Sequence, residues 1–158
     1  MKAILLFGHG ARNPQWAQPF HRIRDAILAR APEALVEPGF LELLRPSFDE
    51  GVDCLVRQGA TEIVVVPIFM AAGSHVKKDL PQMAANAMDR HAGLVIALAA
   101  PVGEAEPVLA AMADYALNAT PDESPARVRV DTAPAGHKAE LPAREAEAQT
   151  CKAQARKA

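Results

Sequence analysis

The sequence predicts an α/β fold, a three-layer sandwich built on a four-stranded parallel sheet in strand order 2-1-3-4. Three observations carry that expectation. Short apolar runs and helically spaced stretches alternate four times along residues 1–118, the pattern of strand–helix units joined by right-handed crossovers. The runs are continuously apolar, as strands covered by helices on both faces are. The chain has 158 residues, 50 % hydrophobic and 23 % charged, enough for one packed domain without a disulfide or metal staple.

The first strand is expected over residues 3–7, stopping at Gly8-His9-Gly10. Residues 14–31 have helical spacing, with Trp16, Phe20, Ile23, Ile27 and Leu28 on one stripe. Asn13-Pro14 suits the start of that helix, because asparagine caps and proline tolerates the first turn. A second strand is expected over 35–43, and a second helix over 46–58 that turns Phe48, Val52, Leu55 and Val56 inward and ends at Gly59. The β-branched run inside 61–70 is the third strand. Residues 75–90 form a third helix that Pro81 is expected to split. A fourth strand over 94–99 and a fourth helix over 104–117, carrying Val108, Leu109, Met112 and Tyr115, complete the domain.

Residues 119–158 have a different texture. Their large apolar residues are Val128, Val130 and Leu141, and Pro121, Pro125, Pro134 and Pro142 interrupt them. So little apolar area cannot offset the entropy of ordering the chain, so a mobile Pro/Ala/charge-rich tail is expected. An edge strand over 127–131 and a marginal helix over 144–157 are the structures it could form.

Composition narrows the function. A formal charge of −2 offers no concentrated basic face for duplex nucleic acid, and 4 % aromatics are too few for a run of base-stacking platforms. Cys54 and Cys151 lie far apart without CxxC spacing, so free thiols in a reducing compartment are expected. Cys54 is read as a core residue of the second helix. The opening apolar run is too short for a membrane span and lacks a signal-peptide cleavage region. A cytoplasmic protein with no nucleic-acid and no membrane partner follows. The chain holds no GxxxxGK[ST], GxGxxG or GxSxG, which leaves ATP hydrolysis, nicotinamide chemistry and serine hydrolysis without support.

Parallel α/β sheets bind ligands beyond the carboxyl ends of their strands. His9, Arg12 and Asn13 follow the first strand, Glu42 and Arg45 end the second, and Ser74, His75, Lys77 and Lys78 follow the third. Strands 2, 1 and 3 as neighbours at ~4.8 Å spacing bring His9, Glu42 and His75 within reach of one small ion. Imidazole with carboxylate suits cobalt, iron, nickel or zinc. Three candidates are one short of a structural zinc site, so an open site is expected. Arg12, Arg45, Lys77 and Lys78 on the same rim, with helix N-termini, favour a polyanionic ligand. His21 and His91 are read as surface residues, and His137 lies in the tail.

The residues also resemble a known family. Leu6-Phe7-Gly8-His9-Gly10-Ala11-Arg12, Gly39-Phe40-Leu41-Glu42-Leu43, Pro46-Ser47, the stretch from Gly59 to Phe69, Gly73-Ser74-His75 and Asp79-Leu80-Pro81 resemble the sirohydrochlorin chelatases of the CbiX/SirB type, over residues 2–118. Ala11 stands where the family often has serine, and the tail has no counterpart in the family core. The resemblance implies a chelatase-like half-module that inserts cobalt, iron or nickel into sirohydrochlorin without ATP, in cobalamin or sirohaem biosynthesis or, with nickel, towards coenzyme F430. It implies that His9 and His75 act at the metal with Glu42 assisting. Arg12, Arg45, Ser74, Lys77 and Lys78 would hold the substrate's carboxylates. The divalent metal is a substrate, with no permanently bound cofactor, and a chain of this length would form a homodimer with the cleft between subunits. A non-catalytic carrier of tetrapyrrole or metal is the alternative.

Overall fold

The computed structural model describes residues 1–71 and 73–119, apart from the side chains of Ser74, His75 and Val76. Four strands, β1 (Lys2–Gly8), β2 (Leu35–Phe40), β3 (Glu62–Pro67) and β4 (Val95–Leu98), form one sheet in the order β2-β1-β3-β4. All three pairings are parallel. The expected sheet and strand order are therefore both present. Helices α1 (Gln18–Arg30), α2 (Phe48–Arg57), α3 (Ser74–Arg90) and α4 (Glu106–Asn118) alternate with the strands. Expectations about 120–158, including the tail, its strand and helix, Cys151 and His137, fall outside the described residues.

The register explains the layers. Ala3, Leu5 and Phe7 of β1 stand beside Ile63, Val65 and Pro67 of β3, so their side chains share one sheet face. Ala3, Leu5, Phe7, Ile63 and Val65 pack with Phe48, Val52 and Leu55 of α2 and with Leu80 and Ala87 of α3 into the main core. Phe7 meets Phe48 edge-on at 5.6 Å between ring centroids, a favoured aromatic geometry. On the opposite face, Phe20 of α1 packs edge-on against Phe40 of β2 at 4.9 Å.

Local signals account for α2. Ser47 accepts from the backbone N–H of Glu50, and the Glu50 carboxylate accepts from that of Ser47, a complete capping box. At its other end Gly59 takes φ +94°, and the N–H groups of Ala60 and Gly59 reach back to the carbonyls of Leu55 and Val56. That is a Schellman close, which needs a left-handed residue.

Several expectations are corrected. α3 is not split: it runs unbroken through Pro81. Pro81 and Lys77 both face solvent, so water can satisfy the Lys77 carbonyl that loses its helical partner. β2 ends at Phe40 instead of residue 43, because the chain bends through Leu41–Pro46. β3 ends at Pro67 instead of residue 70. The first helix is two elements, a 3-10 turn over Pro14–Ala17 and then α1. Its stripe therefore begins at Phe20, and Trp16 is 66 % exposed.

Cys54 is half-buried, with its thiol 3.6 Å from the Glu37 carboxylate, so it sits at the polar margin of α2 instead of in the core. His91 is not a free surface residue: its Nε2 pairs with Asp53 at 2.8 Å and ties the end of α3 to α2. The outer sheet face is covered unevenly. Val95 is 57 % exposed, and Leu109, Met112, Tyr115 and Leu117 of α4 are exposed as well. No described helix is long and apolar enough to cross a membrane.

Candidate functional site

The carboxyl ends of β2, β1 and β3 converge through backbone bonds that outrun the strands. Leu41 N–H donates to the Gly8 carbonyl at 2.9 Å, Glu42 N–H to the His9 carbonyl at 3.0 Å, and Ile68 N–H to the Phe7 carbonyl at 2.8 Å. The two glycines around His9 have separate steric reasons. A Cβ on Gly8 would run into the Phe20 ring, and one on Gly10 would overlap the Glu42 carbonyl oxygen. Gly10 also holds φ +91°, a conformation side chains resist. Gly8-His9-Gly10 is thus the sequence that lets α1 close over β1 while the Glu42 backbone lies beside His9.

The His9 imidazole is exposed and forms part of the wall of a cavity of about 150 Å³. Phe20, Phe40, Ile68 and Phe69 make its floor. The Phe69 ring lies 4.7 Å from the imidazole, tilted by 41°, and packs edge-on against Phe7 behind it. This floor brings no side-chain donor or acceptor to the imidazole, and among the described residues no side chain hydrogen-bonds it, so its nitrogens can serve a ligand arriving from solvent. An imidazole so placed can ligate a borderline divalent ion or accept a proton.

The other predicted residues divide. Glu42 is exposed on the same rim, its backbone bonded to that of His9. Leu43 next to it holds φ +63° with its side chain 62 % exposed, a strained backbone of the kind that concentrates at binding sites. Arg12 is exposed in the turn after Gly10. Arg45 is committed elsewhere: its guanidinium pairs with the Glu50 carboxylate. The Ser47 backbone bond holds the Glu50 carboxyl below its usual range; desolvation opposes it, and the charge and hydrogen bond of Arg45 add to the lowering. Lys77 lines a separate hollow of about 200 Å³ with Leu80, Leu98, Pro101 and Glu104. Lys78 is exposed on α3. Ser74 and His75 open α3 directly after Gly73, and their side chains fall outside the described residues. Among the described residues no three His, Cys, Asp or Glu side chains gather into a metal-holding group.

Sequence reading missed Trp16 and Phe69 as site residues. Trp16 helps line the His9 cavity and an adjoining open hollow of about 440 Å³ shared with Asn13 and Arg22. Its signal was present: Pro14 and Pro19 mark two successive helix starts, so Trp16 need not obey the period of α1. Phe69 was hidden inside an apolar run that outlasts β3.

The CbiX family profile matches residues 3–119. A sirohydrochlorin cobaltochelatase of Methanopyrus kandleri is 40 % identical over 83 residues, which cover 52 % of this chain and 58 % of that relative. A sirohydrochlorin ferrochelatase of Bacillus subtilis is 32 % identical over 111 residues, covering 70 % of this chain and 42 % of that one. The match thus spans little more than half the length of the first relative and less than half of the second. A crystal structure of a CbiX protein from Marinobacter aquaeolei superposes with a TM-score of 0.65 at 31 % identity, covering 74 % of this chain and 95 % of that one. With this match running from β1 through α4, and with the Gly8-His9-Gly10 turn fitted to its neighbours, the chain belongs to the CbiX family.

Proposed function

We propose that this chain inserts a divalent metal ion into sirohydrochlorin without ATP. The observation that carries the reading is the exposed His9 imidazole, held at the end of β1 over an aromatic floor with Glu42 on the adjoining strand end. The names of the relatives give the reaction class, with cobalt in one and iron in the other; nickel fits the same donors. Cobalt would serve cobalamin synthesis and iron sirohaem synthesis.

Insertion replaces two pyrrole N–H protons with one dication, and both protons leave the macrocycle. One histidine of the His9–His75 pair holds the incoming ion while the other accepts one proton, the second proton passes to solvent water, and Glu42 orients or relays. The ion is bound weakly, since a tight site would retain it instead of releasing it to the four ring nitrogens. Arg12, Lys77, Lys78 and Ser74 meet the eight carboxylates of sirohydrochlorin, and Arg45 can join them if it leaves Glu50.

The working unit is a homodimer of a cytoplasmic protein. The bare outer face at Val95 and the exposed apolar residues of α4 support this reading, because together they offer a second copy a patch of the kind subunits bury. A solution mass of two chains supports the dimer, and a mass of one chain at working concentration contradicts it. The reaction is tested by mixing protein, sirohydrochlorin and cobalt or ferrous ion and following macrocycle absorbance. Many turnovers per chain support insertion. Stoichiometric binding without turnover contradicts it and favours a carrier.

A further inference from the structure

We infer that Trp16 is a stacking platform for one face of the tetrapyrrole, with Arg22 beside it to pair with a peripheral carboxylate. The inference rests on the chelatase reading and adds two residues to it. Trp16 is the single tryptophan of the chain, and two-thirds of its surface is in water. An indole left that bare gives up a large apolar burial, although Phe20 shows that a ring close by in sequence can pack onto the sheet.

The backbone that carries Trp16 is held in place. The 3-10 turn that carries it starts at Pro14, and Asn13 caps it: the Asn13 side chain accepts from Gln15 N–H at 3.0 Å, and its carbonyl accepts from Trp16 N–H at 3.1 Å. The indole borders the His9 cavity on one side and the larger open hollow with Arg22 on the other. A flat conjugated ring lying on it would therefore reach His9 from the same rim. Arg22 is exposed and is in no ion pair among the described residues. A conjugated plane edged with carboxylates matches both features, through stacking and through charge.

The test compares wild type, Trp16→Phe, Trp16→Ala and Arg22→Ala in the full-length chain. Sirohydrochlorin affinity is read from macrocycle absorbance, KM and kcat from cobalt insertion, and solution mass from sedimentation. Trp16→Ala is expected to weaken binding by about 5- to 100-fold, the range for removing one aromatic stacking partner. The loss should appear in KM, with kcat changed far less, and Trp16→Phe should recover most of it. Arg22→Ala should weaken binding at low salt, and its affinity should fall less steeply with added salt than that of wild type. Equal affinity and KM in Trp16→Ala and wild type overturn the inference while leaving the chelatase reading intact. A halved mass in Trp16→Ala would assign the indole to a subunit interface and also overturn it. A wild-type chain that neither binds nor metallates sirohydrochlorin overturns the chelatase reading, and the inference with it.

Discussion

The backbone N–H of Glu42 donates to the carbonyl of His9 at 3.0 Å, so the candidate proton relay and the candidate metal ligand are fixed to each other by main chain. Side-chain rotamers can change without moving the two strand ends apart. The same bond sets what may follow His9, because Gly10 lies under the Glu42 carbonyl.

Gly10→Ala must therefore either strain the turn or push Glu42 away. The positive φ alone costs about 1–3 kcal/mol. A lowered urea midpoint is expected, together with a loss of insertion rate larger than the fraction unfolded explains. Full activity and unchanged stability would show that the turn tolerates a side chain.

The capping box of α2 makes a pH prediction. Glu50 is held below its ordinary value of 4.5 in the folded chain. Its charged form is thus favoured by folding. That contribution is present above the unfolded pKa and is lost as pH falls through the folded one. The stability gap between wild type and Glu50→Gln should be widest near neutrality and should close in acid, as urea midpoints across a pH series would show. Ser47→Ala should cost about 0.5–2 kcal/mol through loss of the cap.

The exposed side chains of α4 predict a change of mass. Met112→Glu places a charge among Leu109, Tyr115 and the other apolar residues that α4 leaves in water. If that face meets a second copy, the variant should sediment as a single chain at concentrations where wild type is paired. Equal masses would free α4 from that role.

Much of this was legible in the residues. The strand order followed from the alternation of apolar runs with helical stretches and from the rules of parallel crossover. Gly8-His9-Gly10 marked the candidate site because glycine on both sides of a polar residue at a strand end signals close approach, and both glycines do sit against close neighbours. What escaped reading depended on solvent or on distant partners. Pro81 does not break α3, and both it and Lys77, whose carbonyl it orphans, are exposed residues that water can reach. His91 gained a partner 38 positions away in Asp53. Arg45 read as a free cation but closes onto Glu50 five residues on, a contact set by the bend after Phe40. Trp16 fell on the stripe of α1 only if one helix was assumed where a 3-10 turn and a helix follow each other.

The most direct test is the single-turnover rate of cobalt insertion into sirohydrochlorin by His9→Ala beside wild type, with thermal melts of both. His9 is exposed, so the melts should agree. The insertion rate should fall by about 10²–10⁴-fold, the scale of a lost acid–base or metal-positioning group. A His9→Ala chain that folds and metallates sirohydrochlorin at the wild-type rate would contradict the assignment of this rim as the place where the ion is delivered.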